Sequence, residues 1–270
     1  LITPVTIKNA GLFLTNVRKQ VERDFKSPKL RSILQFPVLF LGAKPEQTPA
    51  FYNFMNYADF GLGTWHPKGG MIQIVNAMAS LAKELGVCFH TDAAVDEIIT
   101  NNKKATGIRV GDKIHEADII ISGADYHHTE SLLQASLRGY SEAYWKKKVF
   151  APSSLLFYMG IDKKLDNLAH HNLFFDVDFD QHASSIYDTP EWPKEPLFYV
   201  NLPSTSDQTM APEGKEACFI LIPIAPGLED TQELRDKYYD IVVTRMEKLT
   251  NQSIREHVLF NKSLDRKSVV

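Results

Sequence analysis

Cysteine is scarce in this chain. Two occur in 270 residues, Cys88 and Cys218, far apart and each within an apolar run. Neither has partners at metal-ligand spacing beyond His90, so both are expected to be buried, reduced thiols, and no metal site is expected. Long hydrophobic runs are also missing. The longest, Cys218 to Ala225, has strand length and falls well short of the roughly 18 apolar residues of a spanning helix. Charge of one sign is not in excess: the net charge of −3 gives no electrostatic case for nucleic acid. No N-terminal stretch reads as a signal peptide, which makes a cytoplasmic location the expectation. No Gly-x-Gly-x-x-Gly occurs, so the backbone-amide cradle that holds a dinucleotide's phosphates at a helix N-terminus is lacking. Repeats, coiled coils and low-complexity tracts are missing too. The start at Leu1 and the end in Ser-Val-Val read as those of a piece of a longer protein, or of one with trimmed ends.

What is present is a globular composition, 44% hydrophobic and 23% charged, long enough for one large domain or two ordinary ones. The first sixty residues read as helices. Phe13, Val17, Val21 and Phe25 recur every fourth residue, and Ser27-Pro28 and Thr48-Pro49 look like N-cap and first-turn pairs. Phe51, Phe54, Met55, Tyr57 and Phe60 make an aromatic, Met-rich helix that serves either as core or as the wall of an apolar cavity. Residues 61–70, GLGTWHPKGG, form a loop whose glycines allow tight turns. Met71, Ile74, Val75, Met78, Leu81 and Leu85 then follow helical spacing up to a stop at Gly86.

Short strands are expected at Val87 to His90 and Ala94 to Ile99, then a hairpin around Gly111-Asp112. Asp118 to Ser122, with three isoleucines, reads as a strand buried on both faces. Ser131 to Val149 reads as helix. Strands are expected at Ser153 to Met159, Asn172 to Phe175, Leu197 to Leu202 and Ala217 to Ala225. A helix from Leu228 to Leu249 and a strand from Ile254 to Phe260 complete the pattern. Strands with long excursions and no regular alternation with helices predict an α+β fold with a mixed, largely antiparallel sheet.

The order of motifs resembles the phytoene and carotenoid desaturases, within the amine-oxidase-like FAD flavoproteins. An aromatic-x-Pro-x-Gly-Gly-Met turn is matched by Trp65, Pro67, Gly69, Gly70 and Met71. A Leu-Gly-Val strand entry is matched at Leu85 to Val87, a Val-x-x-Ile strand at Val95 and Ile98, and an Ala-Asp-x-Ile-Ile-Ser-x-Ala-Asp segment by Ala117, Asp118, Ile120, Ile121, Ser122, Ala124 and Asp125. Leu168 to His171, the Ala211 to Lys215 turn and FKSPKLRSILQFPVLFLGA near the start look like the same family. The ordered set is far more specific than any one member.

The resemblance implies a helical cap or substrate region at 1–69, a segment of the FAD-binding domain at 70–130 and a substrate-binding domain at 131–270. It implies that the Val95 backbone pairs with adenine and that Ser122, Gly123 and Ala124 pass close to the cofactor. It implies an apolar polyene substrate, with Phe51, Phe54, Met55, Phe60, Trp65, Phe157 and Tyr199 as tunnel residues. The activity implied is insertion of C=C bonds into phytoene or a related carotenoid, by hydride transfer to flavin. Without the phosphate cradle, the chain alone is expected to bind FAD weakly or not at all and to be inactive.

His66 is the titratable group nearest the Gly-Gly turn and a weak candidate for proton shuttling. The pairs His127-His128 and His170-His171 lack carboxylates at ligand spacing, so metal is rejected. Basic residues among apolar ones from Val17 to Leu41 raise peripheral membrane contact. Two alternatives stay open: another amine-oxidase-like flavoenzyme (an amine oxidase or a retinoid saturase), and a non-catalytic isoprenoid- or lipid-binding module.

Overall fold

The computed structural model describes residues 10–148 and 151–264. In chain order the main elements are α1 (Val17–Asp24), α2 (Pro28–Gln35), α3 (Ile72–Glu84), β1 (Glu97–Asn101), β2 (Lys104–Val110), β3 (Lys113–Glu116), β4 (Ser153–Ile161), β5 (His171–Phe174), α4 (Phe179–Tyr187), β6 (Phe198–Asn201), β7 (Glu216–Ile224), α5 (Gln232–Thr250) and β8 (Val258–Leu264). The fold is α+β, and its strands pair antiparallel in a three-stranded and a five-stranded sheet.

Among the described residues two compact units emerge: residues 10–76 with 151–264, and residues 77–148. The second unit reaches past 130 because the Ile98 amide donates to the Leu132 carbonyl at 2.9 Å and the buried Glu130 carboxylate accepts from Gly139 N at 2.6 Å.

The first unit is built on the five-stranded sheet, ordered β5-β6-β7-β4-β8. β7 alternates buried and half-buried residues along its whole length, the period-two signature of a sheet with one face on a core. Cys218, Ile220, Ile222 and Ile224 from β7 join Leu155, Phe157 and Met159 from β4 and Phe198 and Val200 from β6. The inward face of α5, with Tyr238, Val242, Val243 and Met246, closes over them. Thr231 caps α5 by accepting from Leu234 N, and Asn251 ends it in the left-handed region at φ 53°. At the sheet edge Gly160 pairs with Phe260, and a Cβ on Gly160 would lie 2.4 Å from that ring. Near the start, Val17, Val21 and Val38 form a small core of their own. Asn16 caps α1 by accepting from Lys19 N at 2.9 Å, but the two Pro-preceding hydroxyls do not cap: Ser27 makes no cap bond and Thr48 donates back to the Lys44 carbonyl.

The second unit departs from expectation. Its hairpins β1-β2-β3 form, but Val87 to Val95 has no assigned strand, and Val95 lies before β1 rather than in it. Asp118 to Ser122 is not a strand, and Ile119 and Ile121 are 79% and 89% exposed. Cys88 is exposed, against the expectation of burial, whereas Cys218 is buried. α3 buries none of its residues. Of the helix expected from Ser131 to Val149, the described part, 131–148, holds only short turns of helix, including Glu142–Trp145, and Val149 lies outside the described residues. A run with the pattern of a buried strand needs neighbours to pair with and cover it, and among the described residues this unit supplies none for 87–95 or 118–122.

Candidate functional site

A broad, open cleft among the described residues lies in the first unit. It has a volume of about 670 Å³ and is lined by Thr64 to His66, Lys68, His170, His171 and Ser206 to Thr209. Three segments distant in sequence build it. The first is the Gly-rich loop. Gly69 and Gly70 both take positive φ, 86° and 85°, and the Gly70 amide closes the turn on the Pro67 carbonyl at 2.9 Å. The conformation demands glycine twice, and at Gly70 a Cβ would also press on Met210 Sδ at 3.0 Å, so that flexible side chain would have to shift.

Asp207 pins this loop from the second segment. Its Oδ2 accepts from Gly69 N at 2.6 Å. Its Oδ1 accepts from the Thr209 hydroxyl at 2.6 Å and the Thr209 amide at 3.0 Å. The Thr209 hydroxyl, the Gly69 and Thr209 amides and the nearby His66 hold the carboxyl down to about 2, against the opposing pull of burial. His66 Nε2 lies 3.6 Å from Asp207 Oδ2, beyond hydrogen-bond reach, and is buried without a hydrogen-bond partner.

The third segment is the start of β5. The His66 ring meets His170 edge-on at 4.9 Å, and His170 lies 4.3 Å from His171. The pairing of His171 with Asn201 and of Leu173 with Tyr199 places Tyr199 and Asn201 on one face of β6. His171 Nδ1 and the Tyr199 hydroxyl are 2.6 Å apart, and His170 Nδ1 bonds Ser206 Oγ. Burial is the largest influence on both imidazoles and lowers both, assisted at His170 by His171 and His66. At neutral pH both are uncharged and able to present one donor and one acceptor each.

The sequence-predicted residues scatter. His66 and Trp65 line the cleft, and Tyr199 reaches it through His171. Phe51 and Phe54 instead join Phe13 and Tyr52 in an exposed aromatic cluster, with ring separations of 5.0 to 6.0 Å. Phe60 is exposed and Met55 half-buried. Phe157 is 1% exposed inside the sheet core, against Tyr239. Sequence reasoning missed Asp207, Ser206 and Thr209. The His170-His171 pair was visible, but metal chemistry was the only role considered for it. Among the described residues no group of three His, Cys, Asp or Glu is arranged to hold a metal ion.

The sequence profile of the family described as flavin containing amine oxidoreductase matches residues 11–261. The chain belongs to that family. Within it, this amine oxidoreductase relative is 39% identical to a carotenoid 3,4-desaturase of Haloarcula japonica, over 96% of this chain and 52% of that protein. It is 30% identical to a phytoene desaturase of Phycomyces blakesleeanus, over 92% of this chain and 43% of that protein. An oxidoreductase of Methanosarcina mazei shares the fold, with a TM-score of 0.64 at 19% identity, covering 97% of this chain and 61% of that one. The chain spans about half the length of the curated relatives it matches.

Flavin is the group the family name implies, and residues of the second unit fit part of such a ligand. Residues 88–95 make no backbone–backbone hydrogen bond among the described residues, so this stretch has unpaired amides and carbonyls. Above Gly123 there is open space, and Ser122 Oγ holds the turn by accepting from Ala124 N at 3.3 Å. The phosphate-binding loop is not among these residues.

Proposed function

We propose that this chain is the substrate-binding part, with a portion of the cofactor domain, of an FAD-dependent desaturase that introduces C=C bonds into phytoene or a related carotenoid. What supports the reading is similarity to a named carotenoid desaturase along nearly the whole chain. FAD, when bound, supplies the hydride acceptor. Val95, Ser122, Gly123 and Ala124 contribute backbone and small side chains to its pocket. Trp65 and the exposed Phe51, Phe54 and Phe60 guide an apolar polyene, which binding must orient and shield from water.

A polyene dissolves in bilayers, and the helical front suits peripheral contact with one. Phe13, Leu14, Phe25, Leu30 and Ile33 are exposed there, and Lys19, Lys26 and Lys29 form no ion pair among the described residues. No helix among them is long and apolar enough to cross a membrane.

The test is to supply the native gene product with FAD and phytoene in anionic liposomes and to follow the red shift of the lengthening polyene. Growth of longer-wavelength bands with co-flotation of the protein supports the reading; unchanged phytoene with bound FAD overturns it. The chain of residues 1–270 by itself should show no saturable FAD binding in the micromolar range.

A further inference from the structure

The Trp65 indole is 87% exposed, so little packing holds it, and its place follows from the backbone of the loop that carries it. That loop is tied at two points. Before the tryptophan, the Thr64 hydroxyl donates to Asp59 Oδ1 at 2.5 Å. After it, the Gly69 amide donates to Asp207 Oδ2 at 2.6 Å. The first tie is local and exposed, whereas the second is made by a buried carboxylate 138 residues away. Asp207 stands on a firm base. Its amide donates to the Pro203 carbonyl at 2.9 Å, and its carbonyl accepts from Met210 N at 3.0 Å. Ser204 fastens the same turn to β7: its hydroxyl donates to Glu216 Oε1 at 3.0 Å and accepts from Ala217 N at 2.9 Å. Lys164 Nζ donates to that same Glu216 oxygen at 2.7 Å. The core sheet carries the turn, the turn carries Asp207, and Asp207 carries the end of the Trp65 loop.

The donors around Asp207 call for a carboxylate. Gly69 N–H meets Oδ2, while Thr209 N–H and O–H meet Oδ1. A carboxamide has one acceptor oxygen and would turn its NH2 toward one of the two sides. The local turn to Thr209 needs only one of these oxygens, as a serine can supply. The second oxygen is spent on the distant glycine, at the desolvation cost of a buried charge. We propose that Asp207 is a positioning residue: by holding Gly69 it fixes the stance of Trp65, and through Trp65 it sets how tightly an apolar polyene is bound. It acts through the loop rather than by touching the polyene. The role in polyene binding rests on the desaturase reading; the hold on Trp65 does not.

The chain has three tryptophans, Trp65, Trp145 and Trp192, so labelling with 5-fluorotryptophan gives three 19F signals, and Trp65→Phe identifies the first. Asp207→Asn should shift or broaden the Trp65 signal and leave the other two in place. Asp207→Ser keeps an acceptor for Thr209 N but leaves Gly69 without one, and should do the same. The proposal is overturned if neither variant moves the Trp65 signal by itself, whether because nothing moves or because all three do. Activity gives a second readout, in the native gene product supplied with FAD and phytoene in liposomes. There Asp207→Asn should raise KM by about 10-fold, the size of one hydrogen bond to a charged group, with kcat within about twofold. Trp65→Ala should raise KM as well, and the double variant should be no worse than Trp65→Ala alone. An unchanged KM in Asp207→Asn, or losses that multiply in the double variant, overturns the route through Trp65. If the wild type consumes no phytoene while the Trp65 signal still moves, the desaturase reading fails and the hold of Asp207 on the loop stands.

Discussion

Two isoleucine-rich stretches of this chain end in opposite surroundings. In β7, Ile220 and Ile222 are fully buried between flanking strands and under α5. In the second unit, Ile119 and Ile121 stand almost bare to solvent. Both local sequences carry three isoleucines within a short run, so β-propensity alone does not separate them. What separates them is whether the chain supplies a partner on either side. A hydrophobic pattern records what a segment is suited to bury, while burial itself is a property of its neighbours.

That contrast can be broken or sharpened by substitution. The largest effect is expected at Phe157, buried between the sheet and α5: Phe157→Ala should cost about 3–5 kcal/mol in urea unfolding, and a loss under 1 kcal/mol would mean the first unit is not packed as described. Acid should act next, through His182. Its Nδ1 accepts from Leu197 N at 2.7 Å and its Nε2 bonds the Pro223 carbonyl at 2.8 Å, while burial above all pushes it below its ordinary 6.5. The unfolded chain therefore takes up the proton first. The stabilisation is complete above about pH 6.5 and drains away as the pH falls. Urea midpoints should drop from pH 7 to 5, and His182→Gln should flatten that slope; an equal slope in the variant refutes the assignment.

Asp207 acts lower still. Its carboxyl is held at about 2 against an ordinary 3.8, so its contribution is present above about pH 4 and lost between there and pH 2. Asp207→Asn should remove that step from melting curves and loosen the Gly69 turn, visible as faster amide exchange at Gly69. The smallest effect is expected at Ile121→Ser, within about 0.5 kcal/mol, because nothing covers the side chain. A cost of several kcal/mol there would mean that Ile121 is covered in solution and would erase the contrast.

The first unit was legible wherever burial is decided within a few residues. The Cys218–Ala225 run, the Leu228–Leu249 helix and the Gly-Gly turn all appear close to where periodicity and turn chemistry put them, as β7, α5 and the positive-φ pair Gly69-Gly70. Val95 and Ile119 to Ile121 were misread because alternation and β-branching reveal a face but not its partner. The cleft was half legible. His66 and Trp65 sit in it, but Asp207 gives no local sign of pairing with a glycine 138 residues away. Phe157, an aromatic chosen for a tunnel, belongs to the core because core and cavity walls draw on the same residue types.

The meeting of Gly160 and Phe260 fixes more than a local fit. β8 pairs along one side of β4, and the ladder is irregular between Gly160 and Ile161, beside the place where Gly160 meets Phe260. A two-residue slip would carry the Phe260 ring onto Tyr158 or Asp162, each with a Cβ in the space that Gly160 leaves open. The missing methyl thus works as a keyway and the ring as its key: together with the irregularity beside it, it marks one seat for β8 along its neighbour.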